Sequence, residues 1–294
     1  MIRVVFYGTS SLGIPSLKAL LHDSRFSVVG VITQPDRPAG RHAKLQSSPV
    51  KQFAVQNGLP IHQFEKVKSD EAFDILKTLR ADVALVASFG QLIPQQVLDL
   101  YPHGIMNIHP SLLPKYRGST PIQAPIKNGD KITGVSIMKL DALMDHGPLL
   151  AQVEESIRAD ETGASLEQRL SEISATIVPD TLFKYVNGKI LPQEQNHEQA
   201  TVVKMLSRED GLIDWMLSAS AIERMVRAYT PWPGTYTIAD GKRLKIFEAR
   251  VGEEAGYPQM MCGDQTLLSL IRVQPEGKSV MDGREYLRGK KAGS

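Results

Sequence analysis

The chain has 294 residues, a formal net charge of +2, 42% hydrophobic residues and 22% charged residues. That length suits two domains, because domains usually hold about 100–200 residues. So small a basic excess does not by itself indicate a nucleic-acid partner. The single cysteine, Cys262, excludes an internal disulfide and a multi-cysteine zinc site, and it is predicted to be a small core hydrophobe.

The N-terminal stretch IRVVFYG is strand-like and has no basic-then-apolar leader before it. No apolar run approaches the length of about 20 residues that a membrane span needs. We therefore expect a cytoplasmic protein that does not bind a membrane.

Apolar strand patterns alternate with helical patterns in the first part of the chain. The predicted strands are IRVVFY (2–7), FSVVGVIT (26–33), DVALVAS (82–88) and GIMNI (104–108). Such alternation indicates an α/β domain with a parallel sheet that is covered on both faces. Sheets of this kind bind ligands at the carboxyl ends of their strands.

The second part of the chain is expected to be β-rich at its end. Further predicted elements are strands over 133–140 and 147–157, a helix over 163–187, and strands over 243–251 and 266–274. The stretch from residue 188 is polar, contains a proline and lacks periodicity. We predict one domain over 1–187, a linker over 188–206 and a smaller β-rich domain over 207–294.

Asn107, His109 and Asp145 are candidate catalytic residues. Side chains two apart on an extended segment share a face, so Asn107 and His109 point the same way. An amide can donate to a developing oxyanion and an imidazole can move protons, while a nearby carboxylate such as Asp145 would orient the imidazole. From spacing alone, a structural cap and a satisfied surface histidine remain open, and spacing does not show that residues 107 and 145 meet.

Three other site signatures are weak or missing. The turn YGTSSLG lacks the GxGxxG spacing of a dinucleotide site, and it is better interpreted as a tight turn that lines a pocket. No GxSxG elbow occurs, and the seven histidines are scattered. Metal catalysis is therefore not expected.

A basic loop follows the second predicted strand. TQPDRPAGRHAKLQ carries Arg37, Arg41 and Lys44 among prolines and glycines. Basic groups on such a loop suit contacts with phosphates. A merely solvated loop is the alternative.

Five blocks in this order resemble the methionyl-tRNA formyltransferase family across nearly the full chain. They are TQPDRPAGR, NIHPSLLPKYRGSTPIQ, TGVSIMKLDALMDHGPLL, SREDGLIDW and YTPWPGTY. The resemblance implies a Rossmann-like, parallel-sheet N-terminal domain with catalytic function and an open-barrel-like C-terminal domain that binds tRNA. It implies formyl transfer from 10-formyltetrahydrofolate to the methionine amino group of initiator methionyl-tRNA. No metal is implied, and we expect a monomer.

The resemblance also implies roles for individual residues. Asn107, His109 and Asp145 would be catalytic, and Arg37, Arg41 and Lys44 would contact tRNA. The implied folate-binding residues are Phe89, Gly90, Gln91, Leu92, Ser111, Leu112, Leu113 and Pro114. Leu143 and His146 depart from the family, which usually has glycine and threonine at these positions.

Two alternatives remain open at this point. One is a sugar-amine formyltransferase on the same scaffold, against which PDRPAGR and SREDGLIDW argue. The other is a non-catalytic protein that binds RNA or folate, against which the intact Asn107, His109 and Asp145 argue.

Overall fold

The computed structural model describes residues 1–39 and 44–291. The strands are β1 (Ile2–Gly8), β2 (Phe26–Thr33), β3 (Arg37–Ala39), β4 (Lys44–Gln46), β5 (Ile61–Gln63), β6 (Val83–Ala87), β7 (Ile105–His109), β8 (Arg117–Gly118), β9 (Ile132–Lys139), β10 (Leu149–Ser156), β11 (Val202–Val203), β12 (Thr235–Ala239), β13 (Lys242–Val251), β14 (Gln259–Met261), β15 (Leu267–Pro275) and β16 (Met281–Asp282). The α-helices are α1 (Ile14–Leu21), α2 (Pro49–Gln56), α3 (Asp70–Thr78), α4 (Gln95–Leu98), α5 (Gln123–Asn128), α6 (Gly163–Val186), α7 (Ala219–Ala228) and α8 (Gly283–Lys291).

Internal contacts divide the chain into two compact units. The first comprises Met1–Arg117, Gly134–Glu155 and Glu167–Val202. The second comprises Gly118–Thr133, Ser156–Leu166 and Val203–Ser294. The predicted domains at 1–187 and 207–294, with their linker at 188–206, stay a prediction.

The first unit contains a seven-stranded sheet in the order β10-β9-β7-β6-β1-β2-β5. Strands β7, β6, β1, β2 and β5 are parallel, whereas β9 pairs antiparallel with β7. The α/β class predicted from the sequence is confirmed. Along the chain, β2 and β5 are added to the sheet on one side of β1, and the next strand, β6, pairs with the other side of β1. The strand order therefore reverses between β1 and β6, and ligands bind at such a point in open α/β sheets.

Burial explains why these segments become central strands. Val4, Val5, Phe6 and Tyr7 of β1 are fully buried, and every residue of β6 is buried. Continuous apolar runs of this kind need cover on both faces of the sheet. Side-chain caps start two of the covering helices, since the hydroxyls of Ser48 and Ser69 accept from backbone N–H groups three residues later.

The second unit contains an antiparallel sheet in the order β12-β13-β15-β14, and β16 also pairs with β15. Helix α7 begins at a Ser218 cap and buries Ile222 and Val226 against this sheet. Cys262 lies in the same core, as predicted, and burial raises the pKa of its thiol. This is the separate β-rich region expected near the end of the chain.

Candidate active site

Asn107, His109 and Asp145 meet at the carboxyl end of β7. Asn107 Nδ2 lies 3.4 Å from Asp145 Oδ1, and His109 Nδ1 lies 3.6 Å from Asp145 Oδ2. The carboxylate therefore faces both side chains, which share one side of the strand as the spacing predicted. Asp145 comes from the loop between β9 and β10, and β9 runs beside β7. That antiparallel pairing brings residues 107 and 145 together.

His109 is buried, with 4% of its surface exposed, so it is not a surface histidine. Its Nε2 lies 2.9 Å from the carbonyl oxygen of Tyr116. A carbonyl only accepts, so Nε2 carries a proton and donates it. Nδ1, which faces Asp145, can then donate only when the ring is protonated. Sequence reasoning missed Tyr116, because a backbone carbonyl has no side-chain signature.

The loop that presents Asp145 has a constrained backbone. Asp145 has a φ of +49°, in the left-handed region that aspartate tolerates better than most residues. Gly147 lies very close to the backbone of Lys139, since a Cβ at residue 147 would be 2.0 Å from the Lys139 carbonyl oxygen. Glycine is therefore required at 147, and the path of the Asp145 loop depends on it.

A cavity of about 390 Å³ opens beside this cluster. Asn107 and Asp145 line it together with Gln91 and Leu92. The remaining lining residues are Val86, Ile93, Pro94, Gln95, Leu98, Leu140, Asp141, Ala142, Leu143 and Met144. A mostly apolar wall with a few polar groups is typical of small-molecule sites.

The predicted folate loop 89–92 is held in place by hydrogen bonds. Gln91 Oε1 accepts from the N–H of Val67 at 2.7 Å, and its Nε2 donates to the carbonyl of Phe64 at 3.0 Å. The ring of Phe89 is buried in the core, and Gly90 has a φ of +86°. The Gln91 amide thus anchors the loop to a neighbouring segment, and Gln91 and Leu92 are the two predicted residues of this loop that line the cavity.

The predicted folate turn 111–114 lies against β9 and β10. The Ser136 hydroxyl donates to the carbonyl of Ser111 at 2.6 Å and accepts from the N–H of Leu113 at 3.0 Å. Gln152 Nε2 donates to the carbonyl of Leu113 at 2.8 Å. Ser111, Leu112, Leu113 and Pro114 do not line the cavity, so their predicted contact with folate stays a prediction.

The three residues predicted to contact tRNA have different outcomes. Arg37 forms an exposed ion pair with Glu65 at 2.6 Å, and such pairs contribute about 0–1 kcal/mol. Lys44 begins β4, and Arg41 lies outside the described residues. The predicted tRNA contacts stay untested.

The base of the hairpin formed by β3 and β4 is fixed by Asp36. Asp36 Oδ2 accepts from Lys51 Nζ at 2.7 Å, and its Oδ1 accepts from Gln63 Nε2 at 2.9 Å. The Lys51 contact is the main reason why the pKa of Asp36 is lowered. These bonds join the hairpin to α2 and β5.

The described part of the chain has neither a metal-binding cluster nor a membrane-spanning helix. Across residues 1–39 and 44–291, no group of three or more His, Cys, Asp or Glu side chains is placed to hold a metal ion. In the same part of the chain, no helix is long and apolar enough to cross a membrane.

Sequence comparisons assign the chain to a family. Residues 2–182 match the family described as Formyl transferase, and residues 205–291 match its C-terminal domain. A methionyl-tRNA formyltransferase of Roseiflexus sp. strain RS-1 is 44% identical over 98% of this chain and 92% of its own length. The chain belongs to the methionyl-tRNA formyltransferase family. Another member, from Chloroflexus aggregans, is 42% identical and covers 98% of this chain and 97% of its own.

Solved structures share the fold of this family member. A sugar 3N-formyltransferase crystallised with dTDP and 5-N-formyl-THF has a TM-score of 0.69 at 18% identity, over 95% of this chain and 99% of its own. An N-formyltransferase from Helicobacter canadensis, in complex with folinic acid and dTDP-3-aminofucose, has a TM-score of 0.67 at 17% identity, over 94% of this chain and 100% of its own. At such identities the likeness shows the fold alone.

Proposed function

We propose that the protein transfers a formyl group from 10-formyltetrahydrofolate to the methionine amino group of initiator methionyl-tRNA. The observation that carries this proposal is the meeting of Asn107, His109 and Asp145 beside the cavity. Membership of the family supplies the reaction class, and the geometry supplies groups suited to it.

The reaction adds an amine to a formyl carbon. The neutral amino nitrogen forms a bond to that carbon, negative charge collects on the formyl oxygen, and the bond from carbon to N10 of the donor then breaks. The Asn107 amide donates to the charged oxygen from the cavity wall. Protonated His109, whose two N–H groups face Tyr116 and Asp145, adds positive charge beside that oxygen. Donors placed in advance where charge develops stabilise the transition state more than the ground state.

Asp145 has two tasks in this scheme. Its carboxylate faces Nδ1 of His109 and Nδ2 of Asn107, so it orients both donors. It also accepts the proton that the amine loses, directly or through a water, and returns it to the departing N10. The amine is itself a competent nucleophile, so no covalent enzyme intermediate is needed.

Donor and tRNA use different parts of the chain in this proposal. The donor occupies the cavity, with its pterin at the loop Phe89, Gly90, Gln91 and Leu92. The turn Ser111, Leu112, Leu113 and Pro114 contacts the tetrahydrofolate outside that cavity. Arg37, Arg41 and Lys44 contact tRNA phosphates, and 207–294 forms the tRNA-binding domain, joined by 188–206 to the catalytic domain 1–187. The protein acts as a cytoplasmic monomer.

A comparison of three acceptors in separate reactions tests the proposal. Purified protein is incubated with 10-formyltetrahydrofolate and with charged initiator tRNA, uncharged tRNA or a nucleotide-linked amino sugar, and formylated product is measured. We expect formylated product only in the reaction that contains charged initiator tRNA. Product with the amino sugar alone would instead favour a sugar-amine formyltransferase. Binding of donor or tRNA without any product would favour a non-catalytic protein.

A further inference from the structure

Gln195 lies directly behind the loop that presents Asp145. Its Nε2 donates to the carbonyl oxygen of Asp145 at 3.0 Å and to that of Gly147 at 2.7 Å. Gln195 is buried, with 5% of its surface exposed. One amide group therefore binds the backbone on both sides of His146. Because the amide is buried, water would not replace these two hydrogen bonds if they were lost.

Arg117 fixes the orientation of that amide. Its Nη2 and Nε donate to Gln195 Oε1 at 2.7 and 3.2 Å. A flipped amide would place N–H groups against the guanidinium, which only donates, and oxygen against two carbonyls, which only accept. The amide thus has one permitted orientation. In it, both N–H hydrogens donate to backbone carbonyls, and the oxygen accepts two hydrogen bonds from Arg117.

The segment around Gln195 is itself attached to the Asp145 loop. Gln193 and Leu149 exchange backbone hydrogen bonds of 2.7 and 2.8 Å. Two residues after Gln195, the His197 ring stacks on His146, with ring centroids 4.0 Å apart and planes 3° apart. Arg117 Nη2 also donates to His197 Nδ1 at 2.8 Å. Residues 193–197 therefore brace the loop that contains Asp145.

We infer that Gln195, oriented by Arg117, is a positioning residue that sets the place of the Asp145 carboxylate relative to Asn107 and His109. This inference rests on the proposed function, because it concerns the reaction in which Asp145 takes part. Asp145 has a left-handed φ of +49°, and such a conformation persists where its surroundings hold it. Misplacement of a catalytic group by about 1 Å can lower a rate by about 10²-fold.

Gln195→Glu distinguishes positioning from support of the fold. The carboxylate keeps the length of the side chain and pairs with Arg117, so the protein should still fold, with a melting temperature lowered by the two lost hydrogen bonds. An oxygen then faces the carbonyls of Asp145 and Gly147, and the loop loses both hydrogen bonds. We expect kcat for formyl transfer to fall by about 10²-fold, while the KM values for donor and tRNA change little. Gln193→Ala is the matched control, because the exposed side chain of Gln193 is removed and its backbone bonds are kept.

A double-mutant cycle identifies the residue through which Gln195 acts. If Gln195 acts by placing Asp145, adding Gln195→Glu to Asp145→Asn should lower kcat by less than about threefold beyond Asp145→Asn alone. If the losses in kcat of the two single mutants multiply in the double mutant, the inference is overturned. A Gln195→Glu enzyme with the parent's kcat would also overturn it. A loss of activity that only follows the loss of folded protein, with the parent's kcat for each folded molecule, would also overturn it. An Asp145→Asn enzyme as active as its parent would instead refute the role of Asp145 in the proposed function.

Discussion

The His109 imidazole donates its Nε2–H to the carbonyl oxygen of Tyr116 at 2.9 Å. That carbonyl is held in place, because Tyr116 has a φ of +61° and its N–H donates to the Thr201 hydroxyl at 2.8 Å. Rotation of the ring would break a hydrogen bond in a buried place. The ring plane is therefore fixed before substrates bind, and its other nitrogen is directed at Asp145.

His109→Ala should abolish most formyl transfer and leave donor binding nearly unchanged. His109 is assigned to charge that develops in the transition state, so its removal affects kcat more than ground-state binding. We expect kcat to fall by about 10²–10⁴-fold. Single-turnover kinetics and calorimetric titration with a folate analogue measure the two quantities. A mutant that turns over at the parent's rate would contradict the assignment.

Asp145→Asn should lower the rate by about 10²-fold or more, with little change in stability. Asparagine keeps the shape of the side chain but cannot accept the amine's proton, and its amide nitrogen cannot accept from Asn107 or His109. The measurement is kcat under saturating donor and tRNA, with circular dichroism to check the fold. A loss confined to the KM for tRNA would show that Asp145 binds the acceptor and does not take part in the chemistry.

The sequence predicts one part of this site and misses another, for physical reasons. Strands β1, β2, β6 and β7 follow from apolar runs, and the two-residue period puts Asn107 and His109 on one face. Asp145 lies 38 positions from Asn107. Their meeting depends on the pairing of β9 with β7, which no local pattern specifies.

Gln195 was missed for a different reason. It lies in a polar stretch without periodicity, which the sequence predicts to be a linker. Its function there depends on two backbone carbonyls, of Asp145 and Gly147, and on the buried guanidinium of Arg117. These contacts are tertiary, so they leave no signature in residue spacing.

Gly147→Ala should impair the site more than an ordinary loop substitution. A Cβ at this position would lie 2.0 Å from the carbonyl oxygen of Lys139, so the backbone must move. That movement would displace the Asp145 loop, and we expect kcat to fall by about 10²-fold. Gly188→Ala is a useful comparison, because a Cβ there meets nothing within 4 Å although its φ of +66° adds strain. Equal loss of activity in both variants would show that the close approach at residue 147 is not responsible.

The Asp210 carboxylate should make stability depend on pH in acid. The backbone N–H of Ser207 donates to it at 2.8 Å, and with Lys204 this lowers the pKa of Asp210 to about 2. An unfolded aspartate has a pKa of about 3.9. The ionised Asp210 carboxylate therefore contributes its full stabilisation of the folded protein above about pH 3.9, and this stabilisation is lost as the pH falls toward 2. Asp210→Asn should therefore give melting temperatures that decline less steeply between about pH 4 and pH 2. Parallel curves for the parent and the variant would contradict the assignment.

Arg41→Ala should impair the use of tRNA far more than the use of the folate donor. Arg41 follows Arg37 in a loop rich in proline and glycine, and a phosphate contact depends on salt but not on base sequence. Removing one such contact should raise the KM for tRNA and reduce its salt dependence by about one unit of slope. The donor's KM should hardly change, because the cavity is formed by other segments.

Paired titrations at several salt concentrations test the Arg41 prediction, with tRNA varied in one series and 10-formyltetrahydrofolate in the other. Lys77→Ala serves as the control, since it removes an exposed positive charge from α3, outside the basic loop. The control should keep the parent's salt slope. If the two KM values rise together in Arg41→Ala, the loop shapes the whole site and is not a tRNA contact. If neither changes, the loop is merely solvated, which is the alternative that its composition left open.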